Sequence, residues 1–157
     1  MSTFAKFGEL RVGSSTGNTF GDISANKFWC QSSGRHRAIL VYLKHPAGDY
    51  NARAAIYADN SGVPGALIAE SAEVTITAEG WYAFLIPGVL LQATLFYWFA
   101  MQYNQSGLIT AYFATGGAYY SRTIAYGAFP NPFGAGSSDV WQISIYSEYN
   151  EDRPPFR

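Results

Sequence analysis

Residues 13–17 match a motif that carries catalytic chemistry in other proteins. They fit G-x-S-x-G around Ser15, and Asp22 and His36 follow in the order Ser, Asp, His. In α/β-hydrolases this serine attacks a carbonyl carbon from a sharp turn between a strand and a helix. Here only further turn and strand patterns follow residue 17, and no long amphipathic helix. The segment therefore predicts a flexible loop, and we expect no catalytic residue and no enzyme activity.

The content of histidine and cysteine is too low for a metal site built from these residues. His36 and His45 are the only histidines, and Cys30 is the only cysteine, so it has no partner for an intramolecular disulfide. Residues 59–62 offer oxygen ligands without the spacing of a calcium loop. We expect no metal and no cofactor. A carboxylate pair for glycoside hydrolysis leaves no sequence signal, so a hydrolase stays open as a third alternative.

Aromatic residues offer a binding chemistry instead of a catalytic one. A sugar ring stacks its C–H face on an exposed Trp or Tyr while nearby polar groups bind its hydroxyls. The best cluster for this is Tyr119, Tyr120, Arg122 and Tyr126, next to the proline-containing loop at residues 129–134. The alternative is that one face of this strand belongs to the hydrophobic core.

The elements that would position these residues are strands. The chain is 48% hydrophobic, 17% aromatic and 13% charged, with 16 Gly and 7 Pro, which favours an all-β protein. Alternating runs separated by turns predict an antiparallel two-sheet sandwich of roughly nine or ten strands. The apolar run 94–103 is expected to be a central strand, and the strand from residue 80 to end at Pro87. Gly116 and Gly117 predict a tight hairpin.

Length and charge limit the organisation and the partners. The 157 residues fit one domain, with residues 1–149 as the sandwich and 150–157 as an extended C-terminal arm. A net charge of -1 without a long basic cluster argues against nucleic acid. The apolar stretch 81–101 is interrupted by Pro87, so we expect no membrane span. The start of the chain does not resemble a signal peptide.

No Asp, Glu, Lys or Arg occurs between Gly80 and Ser121. Central strands of a sandwich explain part of such a gap, because both of their faces are covered. The other explanation is a protein–protein interface, whose buried centre is poor in charge and rich in Tyr, Trp, Phe and Met. The sequence leaves both explanations open.

Several segments together resemble jelly-roll β-sandwich modules of viral capsid-associated or tail-associated proteins and of secreted surface or carbohydrate-binding proteins. The segments are residues 7–13, 51–60 (NARAAIYADN), 65–71 (GALIAES), 81–84 (WYAF), 126–133 (YGAFPNPF) and 144–146 (SIY). The resemblance implies a jelly-roll fold and a non-enzymatic module displayed on a virion or cell surface.

From this resemblance we expect a structural protein of a viral particle, in capsid decoration or in the tail or fibre. It would assemble with protein subunits, as a homo-oligomer or with other particle proteins, and it could also take part in host attachment. The alternative is an extracellular carbohydrate-binding or adhesion module, with a glycan as its partner. The absence of a signal-peptide pattern favours the virion over the extracellular surface as its location.

Overall fold

The structure is a computed structural model, and it describes residues 4–151. These residues form fourteen strands in two antiparallel sheets. The strands are β1 (Ala5–Gly8), β2 (Ser15–Gly17), β3 (Asp22–Trp29), β4 (Gly34–Leu43), β5 (Tyr50–Asn60), β6 (Val63–Glu70), β7 (Val74–Ile76), β8 (Gly80–Leu91), β9 (Phe96–Tyr103), β10 (Thr110–Phe113), β11 (Tyr119–Thr123), β12 (Ser137–Asp139), β13 (Gln142–Ile143) and β14 (Ile145–Glu151). No helix that could cross a membrane occurs in this part of the chain.

Eight of the strands pair in jelly-roll order. Counted along the chain, they are β1, β3, β4, β5, β6, β8, β9 and β14. The first pairs with the eighth, the second with the seventh, the third with the sixth and the fourth with the fifth. Pairing of β14 with β4 and of β9 with β5 joins these pairs into two sheets. This nested antiparallel pairing is the jelly-roll topology, so the fold is a jelly-roll β-sandwich.

Each sheet has seven strands. The first sheet contains β1, β2, β4, β8, β10, β13 and β14, and the second contains β3, β5, β6, β7, β9, β11 and β12. The main core lies between the sheets. In β4 the alternation is direct: Ile39, Val41 and Leu43 are buried in this core, while Leu40 and Tyr42 point to the outer side and are partly exposed.

A second hydrophobic cluster covers part of the outer face of the second sheet. Its members are Ile23, Ala25, Ala55, Tyr57, Trp98, Ala100, Tyr120, Phe129 and Phe133. The last two come from the segment between β11 and β12, residues 124–136. Backbone and side-chain hydrogen bonds hold this segment down: Phe133 N–H donates to the Gly65 carbonyl at 2.9 Å, and the Tyr57 hydroxyl donates to the Pro130 carbonyl at 2.7 Å.

The all-β sandwich predicted from the sequence is confirmed, but the strand count of nine or ten is too low. The excess comes from β2, β7, β12 and β13, which have two or three residues each. Such strands are too short for an alternating pattern to be visible. The expected central strand is confirmed as β9, which lies between β3 and β5.

Two local predictions are wrong. The strand that begins at residue 80 does not end at Pro87: β8 continues to Leu91, and its register against β4 shifts between His36 and Ala38. A bulge at a sheet edge tolerates a proline that has no N–H to donate. Gly116 and Gly117 do not close a hairpin, because β10 belongs to the first sheet and β11 to the second.

The predicted C-terminal arm falls mostly outside the described residues. Asn150 and Glu151, its first two residues, are the last residues of β14 and pair with Arg35 and Gly34 of β4. Residues 152–157 lie beyond the part of the chain that the structure describes.

Candidate functional site

The three residues of the hydrolase-like motif have different surroundings. Ser15 is in β2, where it pairs with Tyr112 of β10. The Asp22 carboxylate accepts a hydrogen bond from the Thr123 hydroxyl at 2.8 Å. His36 is buried in β4. Within residues 4–151, none of the described hydrogen bonds joins two of these three side chains.

His36 bonds to a different serine. Its Nδ1 lies 2.6 Å from the Ser147 hydroxyl oxygen, its ring stacks on Tyr149 at 4.6 Å between centroids, and its Nε2 has no hydrogen-bond partner. Burial lowers the pKa of His36 to about 4, because the charged ring would lose its hydration. The neutral ring packs in the core as a flat, mostly apolar side chain.

Tyr119 and Tyr120 are both buried, with 6% and 8% of their surface exposed. Tyr119 lies in the main core, where its hydroxyl is 2.9 Å from the Ser24 hydroxyl; burial raises its pKa. Tyr120 points the other way, into the second cluster, and its hydroxyl accepts a hydrogen bond from Gly136 N–H at 2.7 Å. Neither ring has a face open to a sugar in this structure.

Arg122 and Tyr126 are half-buried and bind neighbouring segments. Arg122 Nη1 donates to the Phe133 carbonyl at 2.6 Å, which ties β11 to the segment at residues 124–136. The Tyr126 hydroxyl donates to Glu73 Oε1 at 2.8 Å, and the Arg53 guanidinium lies 5.6 Å from the Tyr126 ring centroid. Burial, and then the bond to Glu73, raise the pKa of Tyr126 to about 12. These two residues hold the covering segment.

The four tyrosine and arginine side chains therefore do not form one aromatic surface. Tyr119 faces the main core, and Tyr120 faces the second cluster. Arg122 binds the segment that covers this cluster, and Tyr126 belongs to that segment and binds Glu73 outside it. A binding surface has to be sought where large apolar side chains remain exposed.

The first such surface is on the outer side of the first sheet. We name it the β8 face, and its residues are Leu40, Tyr42, Trp81, Ala83, Leu85 and Tyr146. The Trp81 ring is 5.5 Å from Tyr42 and 5.0 Å from Tyr146, both edge to face. Ala83 and Leu85 are exposed, Leu85 at 73%, whereas Leu40, Tyr42 and Trp81 are partly buried and Tyr146 is buried at 7%.

Charged groups of both signs surround the β8 face. At one end the Tyr42 hydroxyl donates to Glu79 Oε2 at 2.6 Å, and Lys44 Nζ lies 3.5 Å from the same oxygen. The bond to Glu79 raises the pKa of Tyr42. At the other end Lys6 pairs in register with Glu148, and its Nζ lies 5.6 Å from the Tyr146 ring centroid. Beside Leu85 the rim is positive, because Arg35 and Arg37 line a cleft together with this leucine. An apolar centre with a charged rim is typical of protein interfaces.

The second exposed surface is on the outer side of the second sheet. Trp29, the last residue of β3, lies directly opposite Phe96, the first residue of β9, with ring centroids 4.8 Å apart. They are 44% and 40% exposed. Lys27 Nζ is 4.7 Å from the Phe96 ring centroid.

The sequence indicated a possible interface within the charge-free span from Gly80 to Ser121, but it did not identify the outer side of β8, and it did not indicate the Trp29–Phe96 pair. Trp81, Ala83 and Leu85 alternate with the equally apolar Tyr82 and Phe84, so composition does not distinguish the outer side of β8 from the inner one. Trp29 had a usable signal, because Lys27 lies two residues earlier on the same side of the strand and indicates the side near solvent.

No group of three His, Cys, Asp or Glu side chains in the described chain is placed to hold a metal ion. What the described residues offer is aromatic and aliphatic contact area with polar groups around it, which suits binding. No protein-family model matches the chain, and no curated protein matches it significantly.

Proposed function

We propose that the chain is a non-enzymatic structural β-sandwich protein of a viral particle, and that it acts by assembling with other protein subunits. The viral setting rests on the resemblance to jelly-roll modules of virion proteins. The observation that supports assembly is the β8 face, where six neighbouring apolar or aromatic side chains lie on one side of three adjacent strands.

Exposure of Leu85 and of the open parts of Leu40, Tyr42 and Trp81 has a free-energy cost that association removes. A Leu, Trp or Tyr side chain gains about 25 cal/mol for each Å² of apolar surface that leaves water. Contiguous apolar patches of this kind on soluble proteins mark interaction sites more often than scattered single residues do. Trp and Tyr are also the residue types enriched at the centres of interfaces.

Two strands of the charge-free span from Gly80 to Ser121 lack charge for different reasons. Its second strand, β9, is buried along nearly its whole length inside the second sheet, so the absence of charge there follows from packing. Its first strand, β8, keeps Ala83 and Leu85 exposed on the outer side. Packing within the chain does not explain why this outer side carries no charge, whereas an interface explains it.

The edge of β8 supports the same function. In the described part of the chain β8 forms a ladder with β4 alone, so its other edge carries backbone N–H and C=O groups without a strand beside them. Proteins usually protect such edges with charged side chains. β8 has twelve residues and none of them is charged. Pro87 and the bulge beside it interrupt this edge, so the part of β8 before them, from Gly80 to Leu85, is the suitable template for a strand of another subunit.

We assign a second copy of the chain as the occupant. A two-fold axis brings the same patch of both subunits together, so the patch must tolerate itself. The β8 face meets this condition at its uncharged centre and where its rim carries a Lys and a Glu together. Arg35 and Arg37 lie beside Leu85, so the two copies must be oriented to keep these arginines of one copy away from those of the other.

Light scattering on the purified protein tests this assembly. At micromolar to higher concentration we expect the mass of a dimer or a larger assembly, and Leu85→Glu should shift the protein to the monomer. The matched control is Leu108→Glu, the same change at a position that is 57% exposed and outside the β8 face. A monomeric wild type, or an equal effect of both variants, would contradict the proposal.

A further inference from the structure

We propose that the exposed Trp29–Phe96 pair is a binding site for a glycan, with Trp29 as the surface on which a pyranose ring stacks. The pair lies on the outer side of the second sheet, whereas the β8 face lies on the outer side of the first sheet. The inference is therefore independent of the proposed assembly.

The first argument is that the covering of this sheet stops just before the pair. Trp98 lies on the same outer side of β9 as Phe96 and is buried: its ring packs against Tyr120, and its Nε1 donates to Asp59 Oδ1 at 2.9 Å. The segment at residues 124–136 covers the sheet up to this point. Trp29 and Phe96 come next along the same side, and they are left 44% and 40% exposed.

The second argument is the rigidity of the pair. Trp29 and Phe96 are directly opposite each other in the β3–β9 ladder, and their planes meet at 63°. Lys27 Nζ lies over the Phe96 ring at 4.7 Å. Phe96 therefore supports the side of the Trp29 ring and has the lysine as its own contact, while Trp29 is the more exposed ring. A stacking surface held by a ladder and by a neighbouring ring needs little ordering on binding.

The third argument is that clefts with hydrogen-bonding groups adjoin the pair. A cleft of about 430 Å³ has Trp29 and Phe28 in its wall, together with Lys6, Gln31 and Ser32. A second cleft of about 220 Å³ has Phe96 in its wall, with Asp59 and Thr94 as polar neighbours. The larger volume is in the range of small-ligand sites.

These groups select a sugar over other ligands. A pyranose has an apolar C–H face for an aromatic ring and hydroxyls that both donate and accept hydrogen bonds. Asp59 offers acceptor oxygens, and Gln31 and Ser32 offer both donors and acceptors. A purely apolar ligand such as a lipid chain would remove these groups from water without bonding them, which costs free energy.

Isothermal titration calorimetry with defined soluble oligosaccharides tests the proposal. The probes are oligomers of glucose, xylose, mannose, galactose and N-acetylglucosamine. We expect saturable binding of at least one of them, and a loss of about tenfold or more in affinity for Trp29→Ala. Trp29→Phe should keep part of the affinity, because it retains an aromatic ring.

The control variant is Trp81→Ala, which removes an aromatic ring from the β8 face and should leave glycan affinity unchanged. Near-ultraviolet circular dichroism of each variant checks that the fold is intact. The proposal is overturned if none of the oligosaccharides binds, or if binding persists unchanged in Trp29→Ala. It is also overturned if no sugar binds while Trp29→Ala abolishes self-association in light scattering, since the pair would then be a protein contact.

Discussion

His36 is buried, and its two ring nitrogens have different surroundings. Nδ1 contacts the Ser147 hydroxyl, and this hydroxyl donates its hydrogen to the Ala38 carbonyl at 3.1 Å. Since that hydrogen is already used, Ser147 accepts a hydrogen bond from Nδ1–H. Nε2 has no partner. We therefore assign the neutral ring with its proton on Nδ1, and a second proton on Nε2 would be buried without an acceptor.

This arrangement predicts a stability that depends on pH. The pKa of His36 is about 4 in the folded protein and 6.5 in its ordinary state, so between these values only the unfolded chain takes up the proton. The free energy of unfolding should therefore fall as the pH is lowered from about 6.5 to about 4, by up to roughly 3 kcal/mol from this group. Urea unfolding at a series of pH values measures this decrease in the free energy of unfolding.

His36→Phe keeps a flat ring against Tyr149 and removes the titrating group, so it should flatten the dependence over this range. His45→Phe is the matched control. His36 lies near the start of β4, whereas His45 follows the end of this strand and pairs with Asp49 at the surface. An equal pH dependence in wild type and His36→Phe would show that this assignment is wrong.

At the level of single residues, the sequence alone argues against one aromatic surface formed by both Tyr119 and Tyr120. Tyr119 and Tyr120 are adjacent on a strand, and adjacent side chains point to opposite faces, so they could not form one stacking surface. The burial of both could not be predicted in the same way. It depends on how the following segments fold back, because Trp141 packs against Tyr119 on one side and Phe133 packs against Tyr120 on the other.

At the level of elements, the segment at residues 124–136 acts as a cover for the second sheet. Its two prolines predict a surface loop over residues 129–134, and both prolines do lie outside the strands. Phe129 and Phe133 nevertheless point inward, and Phe133 is completely buried with its ring 5.1 Å from that of Tyr57. The loop is therefore part of a hydrophobic core, and its conformation depends on that core.

Phe133→Ala should lower the free energy of unfolding by about 3–5 kcal/mol, because it removes a buried ring and leaves a cavity. Phe20→Ala, at an exposed position, should change it by no more than about 0.5 kcal/mol. Guanidinium unfolding of the two variants gives both values. If Phe133→Ala is as mild as Phe20→Ala, the segment does not cover the sheet in solution.

The elements that could be predicted are the long ones. The alternation in residues 35–45 and the apolar run 94–103 predict β4 and β9, and both are found. The alternation in residues 140–149 predicts one strand, where the structure has the short β13 and the longer β14. The glycines between β10 and β11 show why other features could not be predicted. A Cβ on Gly117 would lie 2.0 Å from the Trp141 carbonyl oxygen, so this glycine permits a close backbone approach between distant segments. Turn patterns describe neighbours in sequence and cannot reveal such a contact.

For the whole molecule, the two hydrophobic clusters share their strands. Along β9, Trp98 points into the outer cluster and Phe99 into the main core. Neither cluster can lose its packing without disturbing the strand that serves the other. The prediction of one domain then implies one cooperative transition, in which tryptophan fluorescence and near-ultraviolet circular dichroism change together. Two separate transitions would contradict it.

The two outer faces of the sandwich differ in a way that fits display on a particle. The first sheet exposes an apolar face and an uncharged edge strand, which suit contact with another subunit. The outer face of the second sheet is covered in part by the segment at residues 124–136, which leaves the Trp29–Phe96 pair exposed. If the β8 face is occupied by a neighbour, the pair still faces solvent and can reach a ligand.

The central claim is that subunits meet at β8, and a structure of the oligomer formed by the purified protein tests it most directly. We predict that the copies contact each other along the edge and outer side of β8, with Trp81 and Leu85 buried at the contact. An oligomer whose copies meet elsewhere, with both of these side chains still exposed to solvent, would contradict the account.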